Sequence, residues 1–345
     1  MSVIRVAYLG PPGTYSHQVS NNTLGFVFFS AYFEGKENAA RQQFEAYTLN
    51  SEFSIIYSPQ PSINSCFKAI SKDECDYSII PFENSSNGQV VLSYDLFRDW
   101  FIHEDRLRTK LQNIYDPNFT VIAEQFVSIH HNFITYSTDL TKINKIYSHP
   151  QVWSQCNKFL HKYELDNNIK IQKIDTSSTS QAVKILTQLT TDKEREETAA
   201  MASLTASEIH GVPVKLASIE DFKGNTTRFL VLGKAALPSV ETGKMNQVSD
   251  KKMSLLTFVI KDNDDFGSLC DILQVFKNHN LNLQSITTRP SVIGPWRYVF
   301  FVEVWESEGL SVALKELEDS VLDLTVIGSF NRSERFFEMI QQPKT

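Results

Sequence analysis

At 345 residues the chain is long enough to bury a large core and to hold more than one domain. Its 41% hydrophobic and 21% charged content is that of a globular protein, and a formal net charge of −7 argues against a general nucleic-acid or acidic-membrane partner. Four cysteines, Cys66, Cys75, Cys156 and Cys270, show neither disulfide-scaffold nor metal spacing, which fits a reducing compartment.

Residues 3–9 read as a first buried strand. Arg5 interrupts the run, which is too short to span a membrane and lacks the long apolar region and cleavage site of a secretory signal. A strand this early leaves little room for a removable leader, so a cytoplasmic location is expected. Gly10-Pro11-Pro12-Gly13-Thr14-Tyr15-Ser16 follows as a rigid turn with a Ser cap for a helix starting near His17. Its glycines do not fit the dinucleotide fingerprint. Residues 30–52 read as a surface excursion.

A strand is expected at 53–57, then a helix carrying Ile63, Phe67 and Ile70 at helical spacing behind Ser62. The strand at 77–80 ends in Pro81-Phe82-Glu83-Asn84-Ser85-Ser86-Asn87-Gly88, a dense polar group before a helix near Gln89. Strand–helix units continue through 119–122, 143–148 and 169–174. One strand ends at His149-Pro150, and another in Asp175-Thr176-Ser177-Ser178-Thr179-Ser180. A hydroxyl-rich helix start of that kind suits a carboxylate. His130, His131 and His149 lack the patterns that would support a metal site. Residues 194–209 read as an Ala-rich helix.

This alternation predicts a two-lobed α/β body over 1–233. Lobe one is expected at about 1–109 plus 211–233, and lobe two at about 110–210. A linker is expected at 234–251. Residues 252–332 then read as a compact βαββαβ unit of the ferredoxin-like kind, followed by a tail at 333–345.

The chain turns on Gly224-Asn225-Thr226-Thr227-Arg228-Phe229, where two hydroxyls, an amide and a guanidinium precede an apolar strand. Taken alone it reads as a turn before a strand. Five segments in order nevertheless resemble those of prephenate dehydratases: Tyr8 to Ser16, Pro81 to Gly88, His149 with Gln155-Cys156, Ser178-Thr179-x-x-Ala182, and Asn225-x-Thr227-Arg228-Phe229. The last part resembles the ACT regulatory domain at Asp265-Phe266-Gly267-Ser268-Leu269 and Thr287-Thr288-Arg289-Pro290.

The resemblance implies a type 2 periplasmic-binding-protein-like catalytic body and a ferredoxin-like ACT domain. It implies conversion of prephenate to phenylpyruvate, water and carbon dioxide, with no redox cofactor and no metal. Thr227 is expected at the leaving hydroxyl as a catalytic residue, with Asn84 beside it and Glu83 orienting donors or handling protons. Thr14, Ser16, Asn84, Ser85, Gln155, Ser178, Thr179, Asn225, Arg228 and Phe229 are expected to bind substrate; Arg228 either grips a carboxylate or braces the pocket. Phe266, Gly267, Ser268, Leu269, Thr287, Thr288, Arg289 and Pro290 are expected to bind L-phenylalanine at an interface within a homodimer or larger homo-oligomer. The sequence departs from the family there: Phe266 stands where proline is usual, and Thr287-Thr288 replaces Glu-Ser, removing a carboxylate. Two alternatives stand beside this reading: arogenate dehydratase activity, and a non-catalytic amino-acid sensor.

Overall fold

The computed structural model describes residues 2–16, 53–102, 117–236, 248–261, 266–292 and 294–341. The excursion expected at 30–52, the helix from His17 onward and most of the expected linker lie outside the described residues. The first lobe begins with β1 (Ser2–Leu9), β2 (Phe53–Gln60), β3 (Tyr77–Asn84), the short β4 (Gly88–Gln89) and β5 (Thr120–Ser128). The second holds β6 (Asn132–Ile134), β7 (Lys145–Ser148), β8 (Gln172–Asp175), β9 (Thr198–Ala202) and β10 (Val214–Leu216). The chain then returns as β11 (Thr226–Gly233), inserted antiparallel between β3 and β5, so the first sheet runs β2-β1-β3-β11-β5. The second runs β10-β6-β9-β7-β8.

The helices α1 (Ile63–Ser71) and α2 (Val91–Phe101) cover the first sheet. Ser62 caps α1 by accepting from the Ser65 amide at 3.1 Å, and Ile63, Cys66, Phe67 and Ile70 line its buried face. Lobe two carries α3 (Pro150–Gln155), α4 (Asn157–Asn167), α5 (Thr179–Thr187), α6 (Asp192–Glu197) and α7 (Leu204–His210). No helix among the described residues is long and apolar enough to cross a membrane.

Two expectations need correction. The lobes exchange chain later than the strand count suggests: β5 belongs to the first sheet, since it pairs with β11, and β10 belongs to the second, since it pairs with β6. The crossings therefore fall at 129–131 and 217–225. The Ala-rich segment is not one helix either. Its residues 198–202 form β9, buried at all five positions between β6 and β7. Ala199 and Met201 face one helix layer and Ala200 and Ala202 the other, so small side chains let both layers approach the strand. Burial in a sheet centre here overrides alanine's helix preference.

The third sheet comprises β12 (Val248–Ile260), β13 (Leu283–Pro290), β14 (Tyr298–Trp305) and β15 (Val321–Ser333), in order β13-β14-β12-β15 and antiparallel throughout. With α8 (Ser268–Asn278) and α9 (Leu310–Leu317) it makes the expected βαββαβ unit, and α10 (Glu334–Gln341) follows. The strand β12 starts inside the segment read as linker. Its residues alternate: Leu256, Phe258 and Ile260 meet α8 and α9, while Met253, Leu255 and Val259 enter the core of the catalytic body. The Phe301 ring stands edge-on to Tyr94 of α2, centroids 5.2 Å apart. The third unit is thus welded to lobe one by a common core. At Gly328, where β15 crosses β5, a Cβ would overlap the Val121 carbonyl, so only glycine fits the crossing.

Candidate active site

Strand alternation decides what faces what. The register pairs Thr227 with Asn84 and Arg228 with Glu83, so the first pair projects from one face of the sheet and the second from the other. Asn84 Nδ2 donates to Thr227 Oγ1 at 2.9 Å and to Asn225 Oδ1 at 2.8 Å. Its Oδ1 accepts from the Ser86 and Asn87 amides at 3.0 and 2.9 Å, which settles the amide orientation. With Thr227 Oγ1 already an acceptor, its proton is left to donate outward, and no acceptor takes it among the described residues. Ser85 clamps the neighbouring turn, its Oγ accepting from the Thr226 amide and donating to the Gly224 carbonyl.

The loop 10–16 reaches lobe two. Ser180 Oγ donates to the Pro12 carbonyl at 2.5 Å, and Ser203 Oγ to the Gly13 carbonyl at 2.9 Å. Gly13 has φ +89°, and a Cβ on it would stand 2.7 Å from Ser180 Oγ. The contact ties the loop 10–16 to the start of α5. Ser178 caps that helix by accepting from the Gln181 amide at 3.1 Å, leaving the Thr179 and Ser180 amides without intrahelical acceptors, a ready anion site. Thr14 Oγ1 itself closes the turn, donating to the Leu9 and Pro11 carbonyls, and Ser16 and Thr179 are buried.

The crossings join these groups. Tyr15 donates to the His130 carbonyl at 2.7 Å. His131 Nε2 meets Gln155 Oε1 at 2.6 Å, while Glu220 accepts from the His131 amide at 2.9 Å and lies 3.0 Å from His130 Nδ1. Burial pushes the His131 pKa below the usual imidazole value, against the opposing pull of Gln155 and Glu220. Its neutral ring donates to Gln155 and so turns that amide's NH2 group outward. The Ile129 amide, donating to the Asn225 carbonyl at 2.8 Å, continues the path to Thr227.

Three expected site residues lie on the other face of the strands or in the core. Arg228, 1% exposed, directs Nε, Nη1 and Nη2 at Glu124, Glu83 and Glu303, and its guanidinium stacks over Phe82 and Phe126. Burial works against that charge, but the carboxylates of Glu303 and Glu124 hold its pKa well above the usual value. Glu83 belongs to this charge cluster and not to the Asn84 face. Phe229 is 2% exposed in an apolar cluster with Val127 and Val231.

The regulatory set divides as well. Phe266 is fully exposed, and Gly267, at φ +90°, opens α8 ahead of Ser268 and Leu269. Thr287 Oγ1 accepts from Gln89 Nε2 at 2.5 Å, Arg289 chelates Asp95 at 2.8 and 3.0 Å, and Arg98 donates to the Pro290 carbonyl. Thr287 and Arg289 are therefore committed to the chain's own catalytic body, while Thr288 and Pro290 face outward. Sequence reading missed His131, Glu220, Glu124 and Glu303. For the last two the signal was present: a lone carboxylate inside an apolar strand needs a buried partner.

The prephenate dehydratase family profile matches residues 6–236 and the ACT domain profile residues 263–321. The probable prephenate dehydratase of Saccharomyces cerevisiae is 35% identical over 358 aligned residues, covering 97% of this chain and 98% of that one. A crystal structure of prephenate dehydratase from Arthrobacter aurescens in complex with L-Phe superposes with TM-score 0.67 at 19% identity, covering 99% of this chain and 92% of that one. A protein described as a novel type of quorum-quenching acylase superposes with TM-score 0.66 at 18% identity, covering 96% and 99%. At such identities the two structures show the fold alone, and activity follows from the sequence family. With the prephenate dehydratase profile over residues 6–236 and the ACT profile behind it, the chain belongs to the prephenate dehydratase family.

Proposed function

We propose that the crevice between the lobes, from Thr227 and Asn84 to the start of α5, is where prephenate becomes phenylpyruvate in L-phenylalanine biosynthesis. The observation that carries this reading is the Asn84–Thr227 hydrogen bond, which turns the threonine proton outward. The ring carboxylate leaves as carbon dioxide, its C–C bonding pair makes the ring aromatic, and the C–O pair departs with the hydroxyl. The dianion takes up one proton as the hydroxyl becomes water. A threonine is too weak an acid to supply that proton outright. Thr227 therefore acts as a fixed hydrogen-bond donor to the departing oxygen, worth most where water is excluded. The amides at the start of α5 take a substrate carboxylate, with Gln155 oriented by His131 as a further donor.

Assay of the purified protein with prephenate tests the reading: phenylpyruvate forms without added nucleotide or metal. Folded protein that binds prephenate without turnover would instead be a sensor. Parallel turnover of arogenate, which yields phenylalanine directly, decides the substrate preference. Phenylalanine is proposed to inhibit, acting from the ACT domain within a homo-oligomer. Support comes from the direct contact of Thr287 and Arg289 with Gln89 and Asp95, since Gln89 pairs with Glu83 beside Asn84. Titration of activity with phenylalanine, beside the mass in solution by light scattering, reads both points. A flat titration confines the ACT domain to assembly.

A further inference from the structure

The segment 217–225, which carries the chain back to β11, closes a break between two helices of lobe two. Helix α3 ends at Gln155 and α4 begins at Asn157; Cys156 between them, at φ −126° and ψ 29°, gives α4 no side-chain cap. The first amides of α4 and the last carbonyls of α3 therefore need partners from elsewhere in the chain. Asp221 supplies both. Its carboxylate oxygens accept from the Lys158 amide at 3.0 and 3.1 Å, and its own amide donates to the Gln155 carbonyl at 2.7 Å. The helix dipole further favours a carboxylate at the start of α4. The cap and the helix it closes are 63 residues apart in the chain, so no local pattern records the pairing.

The neighbours of Asp221 hold the Gln155 side chain as well. Ile219 donates its amide to the His131 carbonyl at 2.8 Å, and Glu220 accepts from the His131 amide at 2.9 Å. His131 Nε2 in turn meets Gln155 Oε1 at 2.6 Å. Residues 219–221 thus grip Gln155 through its carbonyl, through its side chain by way of His131, and through the start of the next helix. Four residues beyond Asp221, Asn225 Oδ1 accepts from Asn84 Nδ2, which also donates to Thr227 Oγ1. One short segment therefore sets the interval between the Gln155 amide of lobe two and the Asn84–Thr227 pair of lobe one.

We propose that Asp221 is a positioning residue for substrate binding: by capping α4 and holding the end of α3 it fixes where Gln155 presents its amide across the crevice from Thr227. This rests on the role given to Gln155 above. In the full-length protein Asp221→Ala removes the cap. The expected result is a KM for prephenate about 3- to 10-fold higher, the worth of one neutral hydrogen bond, with kcat within about two-fold of wild type. Protein lost to misfolding lowers apparent kcat at unchanged KM, so the split separates positioning from damage. Asp221→Asn, whose side-chain oxygen still accepts from the Lys158 amide, keeps KM within about two-fold. Asp221→Glu keeps the charge on an arm too long for the cap; it gives a smaller rise in KM and reads the same contact if Asp221→Ala does not fold. Thr191→Ala removes the cap of α6, which accepts from the Glu194 amide at 3.2 Å, and lowers Tm while KM and kcat stay at wild type. In a Gln155→Ala background Asp221→Ala raises KM no further. Wild-type KM in both Asp221→Ala and Asp221→Glu overturns the proposal, as does an equal rise in Thr191→Ala or full additivity with Gln155→Ala. Wild-type KM in Gln155→Ala overturns the role of Gln155 and this proposal together, while formation of phenylpyruvate by the wild-type protein is read separately.

Discussion

Thr227 and Arg228 are neighbours in sequence and opposites in surroundings, one presenting a proton to a crevice and one buried among carboxylates. Thr227→Ala is expected to lower kcat by roughly 10²- to 10³-fold, the scale seen when one fixed donor to a developing charge is lost. Far-UV circular dichroism stays unchanged, and steady-state kinetics reads the loss. Arg228→Met leaves Glu124 and Glu303 buried beside Arg332 alone, so the fold loses about 3–5 kcal/mol in urea titration. His131 makes stability depend on pH. Its folded pKa lies below the ordinary 6.5, so on acidification the unfolded chain takes up a proton that the folded chain resists. Stability therefore falls from about pH 7 toward about pH 5, and His131→Gln narrows the difference in Tm across that interval. Half-buried His149 and His210 shift the same way and keep part of the slope.

The start of α5 is the element on which both lobes meet. Its cap at Ser178, its Ser180 hydroxyl on the Pro12 carbonyl, and Gly13 with no room for a Cβ place the loop 10–16 across the crevice. Gly13→Ala meets both the wrong backbone region and a hydroxyl at 2.7 Å, so it costs more than about 1 kcal/mol. It is also expected to raise KM, because the loop must retreat from α5; calorimetry and a substrate titration read the two effects. The same packing logic made β9 hard to read. Thr198-Ala199-Ala200-Met201-Ala202 has the composition of a helix, and only its place between β6 and β7 makes it a strand.

The whole molecule folds around a core that crosses the domain boundary, with Met253, Leu255, Phe301 and Phe330 packed among Phe82, Tyr94, Phe97 and Leu230. Catalytic body and ACT domain are therefore expected to unfold together, in one calorimetric transition. A resolved second transition would count against the common core. A chain ending after residue 236 would bare the aromatic face of α2 and is expected to aggregate. The regulatory consequence follows from the same contact: an effector that moves β13 also moves Asp95 and Gln89 of the body.

Strand–helix alternation, the five polar strand ends and the βαββαβ order could be read from the sequence, because each is written in local periodicity and turn chemistry. Those features carried the family and the two-part architecture, and they named most of the groups proposed to line the crevice. What they left open for Arg228, whether it grips substrate or braces the site, is a matter of partners distant in the chain. Glu124 and Glu303 lie 104 and 75 residues from it. No local pattern records which strand is paired, which face a residue takes after a bulge, or where one sheet docks on another. Tertiary structure decided those, since alternation fixes only that neighbours face opposite ways, and packing chooses which side is the crevice and which the core.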